Sequence, residues 1–428
     1  MSDGSLASRL LSPTMHNGRA RVGMRATVIV RNPAIHDARV LREVDTLARM
    51  GYDVEVLAIP CRFDAQPPPD TPVRVRRLGP RTALGRTAHR LATALREPAV
   101  TVVGEWPTSA RRARARRLVM RAYLALQTAA FYRRAIHALR ERPPALLHCN
   151  DYSTMWAGVF ARVALGSRVI YDTHELWADR NGRSEWRGWL IAAEALFVRA
   201  AHGCIVTSPG HADALARRYR IRRPTVVRNI PDVERRPASA TASGTGNATA
   251  VYLGSVIAER GLEQAISALS GMPDLCLRII GPARPSYRSS LDALIQAHGL
   301  RDRVTIGEPV APGAVVDVAR SGSFGIALFQ PSCRSYLLGL PNKLSEYALA
   351  GLPVLASDFP VHRRFVEELG AGILVDPTSP QAIADGYRAL LEPDRQAAIR
   401  RQLERAHERL DWAKERTILE EAYVRARA

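Results

Sequence analysis

Short β-branched runs alternate with longer stretches of helical periodicity along nearly the whole chain, and few folds accept that pattern. Strands that recur singly between helices cannot close into hairpins; they pair in parallel, with each helix crossing back over a sheet face. The first half offers Ala26 to Val30, Asp53 to Ile59, Ala145 to Cys149, Arg168 to Asp172, Gly203 to Thr207 and Thr225 to Arg228. The second half offers Ala250 to Leu253, Leu275 to Ile280, Arg303 to Ile306, Phe324 to Leu328, Pro353 to Ala356 and Ile373 to Val375. The expected fold is α/β: two tandem Rossmann-like, doubly wound domains facing a central cleft, where the carboxyl ends of strands bind ligands. A length of 428 residues exceeds what one core usually supports and agrees with two domains.

Composition places the boundaries. Residues 1–24 read as a flexible leader, without the apolar core or small-residue cleavage site of a secretory signal. An N-terminal domain spans 25–235 and a C-terminal domain 250–395. Between them, residues 236–249 form a linker, since Arg236-Pro237-Ala238-Ser239-Ala240-Thr241-Ala242-Ser243-Gly244-Thr245-Gly246-Asn247 is too small and polar to bury a core. Residues 396–428 read as charged helices, with Leu403, Leu410, Trp412, Ile418 and Leu419 at helical spacing. No apolar run approaches the ~18 residues of a spanning helix. Cys61, Cys149, Cys204, Cys276 and Cys333 form no Cys-x-x-Cys pair. Zinc and a disulfide framework are therefore not expected, and a cytoplasmic location fits.

The charged residues are unusual. Of 61 basic residues, only Lys343 and Lys414 are lysine, so Lys343 marks a place where a compact ammonium is wanted and a planar guanidinium will not serve. It follows Pro341, which suits a first helical turn whose amides are unpaired. A cation there is unfavourable unless an anion joins it. Glu346 stands three residues on; the bland alternative is a surface pair worth about 0.2–0.5 kcal/mol. After the strand at Ala250 to Leu253 comes Gly254-Ser255-Val256-Ile257-Ala258-Glu259-Arg260-Gly261. Glycine at a strand-to-helix turn lets backbone amides approach phosphate. The alternative is an ordinary turn with a solvent-facing Arg260. In the first half His148, Asp151, His174 and Glu175 follow two strands, where a histidine alone more often packs a loop than catalyses.

The run Pro341 to Val354, the turn Gly254 to Gly261 and Tyr171-Asp172-Thr173-His174-Glu175-Leu176 together resemble a family 4 glycosyltransferase of the GT-B fold. Ala38 to Glu43 and Gly51 to Val54 resemble that family's first helix and second strand. The resemblance covers about residues 25–390 and implies transfer of a sugar from a nucleotide diphosphate sugar with retention of configuration. It also implies that Arg260 and Lys343 hold the diphosphate and that Glu346 accepts from the ribose hydroxyls. Gly254 and Gly261 would shape the phosphate turn, and His174 would face the donor sugar as a catalytic residue beside Arg260 and Lys343. Asp151 and Glu175 are acceptor-site candidates. Two departures stand out: Leu338 replaces a common glutamate and Ser255 a common arginine. Leu338 leaves the donor sugar open, and Ser255 places more weight on Arg260 and Lys343. No Asp-x-Asp motif occurs, and neither cofactor nor metal is expected.

The net charge of +20 is concentrated. Between Arg74 and Arg142 lie seventeen arginines against Glu97, Glu105 and Glu141. Arg111-Arg112-Ala113-Arg114-Ala115-Arg116-Arg117 precedes an apolar stripe at helical spacing. Two readings stand: a surface helix resting on the core, or a helix resting on an anionic membrane at about 1 kcal/mol per arginine. The second would make the protein peripheral at the inner face of a membrane. Nucleic acid is not an expected partner, because no aromatic interleaves with this run. The expected partners are a nucleotide-sugar donor and a carbohydrate or lipid-linked acceptor. A nucleotide-sugar epimerase on the same fold would need further acid/base carboxylates, and a basic scaffold would have no reason to keep Arg260, Lys343 and Glu346 together.

Overall fold

A computed structural model of the chain describes residues 23–34, 37–60, 73–79, 110–182, 185–233 and 247–427, with 110–121 as backbone only. Nearly all of the expected leader, residues 236–246 of the expected linker and Cys61 lie outside the described residues.

Two sheets form. The first contains β1 (Arg25–Ile29), β2 (Asp53–Ala58), β3 (Arg74–Arg77), β4 (Leu146–Asn150), β5 (Arg168–Thr173), β6 (Gly203–Val206) and β7 (Thr225–Val226). Its order is β3-β2-β1-β4-β5-β6-β7. The second contains β8 (Ala248–Leu253), β9 (Leu275–Ile280), β10 (Val304–Gly307), β11 (Phe324–Ala327), β12 (Val354–Ser357) and β13 (Gly372–Val375), ordered β10-β9-β8-β11-β12-β13. The pairs β1 with β2 and β4, and β8 with β9 and β11, are parallel. In each sheet the order reverses beside the first strand, at β1/β4 and at β8/β11, which makes a topological switch point.

Every strand expected from the sequence is present to within two residues at each end, an ordinary difference for element termini. One strand was not expected. Arg74-Val75-Arg76-Arg77 has no apolar run, yet it pairs with β2 from Arg74 opposite Glu55 to Arg77 opposite Ala58. As an edge strand it needs one pairing partner only, and its charges deter a second.

The chain divides into two compact units. One runs to Tyr171 and takes in Ala200–His202 and Arg427; the other holds Asp172–Arg199 and Gly203–Ala426. In the first unit, the helix Ala38–Arg49 is capped by the Asp37 carboxylate, which accepts from Arg39 N and Val40 N. Glu43 on that helix is buried, accepts from Asn150 Nδ2 (3.0 Å) and pairs with His148 (3.2 Å) and Arg39 (3.1 Å). His148 is thus a packed histidine on β4. The arginine run Arg111–Arg117 opens the 32-residue helix Ala110–Glu141.

In the second unit, side chains alternate across the six-stranded sheet with the period of two that a pleat requires. Ala250 and Tyr252 of β8 join Leu277, Ile279, Phe324 and Ile326 on one face. Val251 and Leu253 join Leu344, Tyr347, Ala348 and Val354 on the other. With helices on both faces, the functional groups are left to the strand ends. At the C terminus, the helices Pro393–Leu403, Ala406–Arg409 and Trp412–Arg427 pack on this unit. Glu415 is buried there and accepts from Arg228 N (2.7 Å) and Nε (2.8 Å).

Candidate active site

The β8/β11 switch point assembles the second-half residues singled out by the sequence. Gly254 directly follows β8 with φ +133°, a conformation that side-chain-bearing residues rarely adopt. A Cβ on it would lie 3.3 Å from Lys343 Nζ, so the ammonium stands against bare backbone. Its neighbour Gly281, at the end of β9, has φ +152°, and a Cβ there would come within 1.9 Å of Gly254 O. The turn therefore rests on two glycines, of which the sequence singled out one. Gly261 (φ +71°) faces Leu328 O, where a Cβ would sit at 2.1 Å. Glu259 also has positive φ, +70°, and its carbonyl accepts from Gln330 N (3.0 Å). This brings the loop after β8 against the chain leaving β11.

Lys343 lies in the first turn of the helix Asn342–Leu349 and is 7% exposed. Burial excludes a surface pair with Glu346. Its Nζ stands 4.4 Å from the Tyr252 ring centroid and 4.8 Å from that of Phe329. Arg260 does not face solvent alone either: its guanidinium lies 4.3 Å from the Phe329 centroid and 4.8 Å from that of Tyr336. Among the described residues neither cation makes a hydrogen bond or ion pair. Burial, and then the nearby Arg260 charge, push the Lys343 pKa down to about 7, while Glu346 pulls it up. Glu346 is half-buried one turn along the same helix.

The helix is locked to the sheet by Tyr347. Leu253 N donates to the Tyr347 hydroxyl (3.0 Å), which donates to Val251 O (3.2 Å). Its ring fills the space beside Gly325, where a Cβ would clash at 2.5 Å. A fully buried tyrosine satisfied in this way fixes Lys343 four residues upstream. The ordinary helical pattern Leu344, Tyr347, Ala348 gave no hint of that role.

His174 and Glu175 follow β5. His174 is 25% exposed, with Nε2 3.7 Å from Asp172 Oδ2, and its carbonyl accepts from Thr207 Oγ1 (3.2 Å). The Glu175 carboxylate pairs with Arg180 (2.7 Å). Three hydrogen bonds tie this segment to the loops around Arg260. Leu176 N donates to Ser335 Oγ (3.1 Å), and the Asn181 amide donates to Glu259 Oε2 (2.5 Å) and Ser332 Oγ (2.7 Å). The Leu338 carbonyl accepts from Ser208 Oγ (2.6 Å). Asp151 belongs to the other unit, where it follows β4 with φ +64°. A non-glycine residue held there costs of order 1–3 kcal/mol, the kind of strain that persists at functional loops.

The arrangement offers two cations unmatched by a carboxylate in hydrogen-bonding contact, at the carboxyl end of a parallel sheet and at the start of a helix. It can receive a group bearing about two negative charges. Phe329, Tyr252 and Tyr336, the rings beneath the cations, escaped sequence analysis. Only position could have revealed Phe329, as an aromatic directly past a strand end.

Comparisons with known proteins agree with the fold. The family model for glycosyl transferases group 1 matches residues 237–408, and that for glycosyltransferase family 4 matches residues 84–235. A GDP-mannose:cellobiosyl-diphosphopolyprenol alpha-mannosyltransferase of Xanthomonas oryzae is 27% identical over 230 residues, 52% of this chain and 58% of that one. The matched stretches span 36% to 58% of the curated relatives' own lengths. Sucrose-phosphate synthase of Thermosynechococcus elongatus superposes with a TM-score of 0.70 at 16% identity, over 94% of this chain and 98% of that one. HepE of Anabaena, solved with UDP-glucose, gives 0.68 at 15% identity, over 94% and 99%. The chain belongs to the family 4 glycosyltransferases and has their GT-B fold of two doubly wound parallel sheets.

Proposed function

We propose that this protein moves a sugar from a nucleotide diphosphate sugar to a carbohydrate or lipid-linked acceptor, with retention of configuration and without a metal, in envelope polysaccharide or glycolipid assembly. The observation that carries the donor half is the Arg260 and Lys343 pair at Gly254. As the glycosidic bond breaks, negative charge grows on the departing diphosphate. Two prepositioned cations in a partly dry site stabilise that charge as it develops. Lys343 Nζ, a point charge against the bare backbone of Gly254, suits one phosphate, and the forked Arg260 guanidinium suits two oxygens at once. Glu346 would accept from the ribose hydroxyls, and His174 would face the sugar. The HepE structure with UDP-glucose supports a nucleotide-sugar donor.

For the acceptor, the Xanthomonas relative is named for a diphosphopolyprenol substrate, which supports a lipid-linked acceptor. The helix that begins with Arg111–Arg117 would then rest on an anionic inner membrane face. Glu175, engaged by Arg180, is better suited to shaping the acceptor pocket than to taking a proton; Asp151 remains the candidate for an acceptor hydroxyl.

Titration of the full chain with UDP, GDP and ADP in EDTA tests this reading. One of the three should bind and raise the melting temperature. Absence of binding by all three defeats the donor assignment, and binding that requires added Mg²⁺ defeats the metal-independent part. Flotation with anionic vesicles should show attachment that weakens with salt, and no attachment at low salt ends the membrane reading.

A further inference from the structure

A single aromatic ring touches both cations assigned above to the diphosphate. Phe329 lies two residues past β11, with its centroid 4.3 Å from Arg260 Cζ and 4.8 Å from Lys343 Nζ. Like charges repel, and burial of Lys343 withdraws the water that would solvate its ammonium. A carboxylate between them would relieve both and would also compete with phosphate for their N–H groups. A ring face attracts a cation without taking its hydrogen bonds.

The ring is itself held. The Phe329 carbonyl accepts from Ser357 Oγ (2.8 Å), on β12. Tyr336 packs edge-on at 5.5 Å and 76°, and His362 at 6.0 Å and 76°. His362 is fully buried in the helix Pro360–Leu369, within 3.2 Å of Ser357 O through Nδ1. Burial pushes its pKa down to about 4, so the support under the ring is uncharged at neutral pH.

We propose that Phe329 is a positioning residue for sugar transfer: its ring face holds Arg260 and Lys343 aimed for the donor diphosphate while leaving their N–H groups for phosphate oxygens. This rests on the donor-site reading and adds a specific consequence. The groups facing Lys343 are Tyr252 from β8, Arg260 from the loop after it, Glu346 from its own helix and His362 from the next. Arg260 opposes its protonation and Glu346 favours it, and the Tyr252 and Phe329 ring faces favour it too. Without the Phe329 ring, Lys343 loses its proton at lower pH. Diphosphate affinity should then fade at lower pH, a change that a packing defect alone would not produce.

The test is calorimetric titration of UDP, GDP and ADP in EDTA from about pH 6 to about pH 9, using wild type, Phe329→Leu, Phe329→Met and Phe329→Tyr. Leu and Met keep apolar bulk and remove the ring. We expect them to bind the accepted nucleotide about tenfold more weakly and to lose affinity at a lower pH than wild type. Tyr, which retains the ring, should restore both. Phe329→Leu combined with Arg260→Met should cost less than the two single changes added together, because both act through one contact. A folded Leu or Met variant with wild-type affinity and an unmoved pH profile overturns the proposal, and so does a Tyr variant as weak as Leu. If wild type binds none of the nucleotides, the donor-site reading itself fails and takes this inference with it.

Discussion

Two arginine-bearing regions of the molecule hold their charges in opposite ways. In the first unit, Arg76, Arg77, Arg133, Arg134 and Arg140 line a cavity of about 870 Å³ together with Tyr132 and His137. Several of these arginines already have partners. Arg77 donates to Pro33 O (2.6 Å), Arg76 pairs with Glu141 (2.5 Å), Arg134 reaches Leu78 O (3.5 Å) and Arg140 lies on Phe160 (5.1 Å). At the second-unit switch point Arg260 and Lys343 both lie on aromatic rings, and neither is hydrogen-bonded among the described residues. The richer region has the larger field, and the sparser one has the unspent donors. A count of charges therefore finds surfaces that attract anions, whereas the way each charge is held finds the site that can grip one.

Removing the single ammonium should expose that contrast most strongly. Lys343→Ala takes away one of two charges placed where the leaving group develops its own. Loss of about 10²–10³ in kcat is expected, as for other preorganised donors, along with much weaker diphosphate binding. Lys343→Arg should restore this only in part, because the planar fork does not fit beside Gly254. Steady-state kinetics of the three proteins decide it; equal activity in all three would undo the argument from lysine scarcity.

Acidity supplies the next largest effect. With its pKa at about 7, Lys343 is charged below that pH and neutral above it, while a bound diphosphate favours the charged form. Affinity should be full below about pH 7 and fall by up to tenfold per unit as pH rises, with about one proton taken up on binding at pH 8. Stability of the unliganded protein should move the other way. The unfolded lysine keeps its proton to higher pH, so the cost of burying the charge is present below about pH 7 and is relieved as pH climbs toward about 10. Calorimetry in buffers of different ionisation heat counts the protons. A flat pH profile would place Lys343 in water and erase the difference from the arginine-lined cavity.

Much of this was legible in the chain. Twelve strands followed from β-branched runs between helical stretches, because parallel strands buried on both faces must be continuously apolar. Lys343 stood out through composition and Gly254 through its place after a strand, while the roles of Arg260 and Gly261 came with the family resemblance. What escaped depends on tertiary contact. Arg74 to Arg77 form β3 only because β2 offers an edge, and Phe329 matters only because two distant segments bring their cations to its ring. Gly281 is required by Gly254 O, across a strand pair, and Tyr347 by the amide of Leu253. None of these partners is near in sequence, so no local pattern carries them.

Tyr347→Phe probes that hidden layer. It removes the hydroxyl that receives Leu253 N and donates to Val251 O, leaving two buried backbone groups short of a partner at about 1–3 kcal/mol. Denaturant unfolding should show the loss, and diphosphate affinity should drop with it because the helix carrying Lys343 is less firmly held. A variant as stable as wild type would mean that packing alone fixes the helix.

The smallest effect is expected where the charge is greatest. Arg133 is exposed on the helix Ala110–Glu141, and Arg140 is exposed with its guanidinium against a phenylalanine. Replacing either with alanine should change stability by no more than about 0.5 kcal/mol and leave diphosphate affinity at physiological salt within about twofold. At low salt a modest fall in the nucleotide association rate is expected, since the summed field steers anions over distances that salt screens. If Arg133→Ala weakened diphosphate binding as much as Lys343→Ala, net charge would account for both regions and the aromatic mounting of Arg260 and Lys343 would be incidental. Lys343 must therefore be sensitive at high salt and Arg133 only at low salt, and that difference separates a held cation from a solvated one.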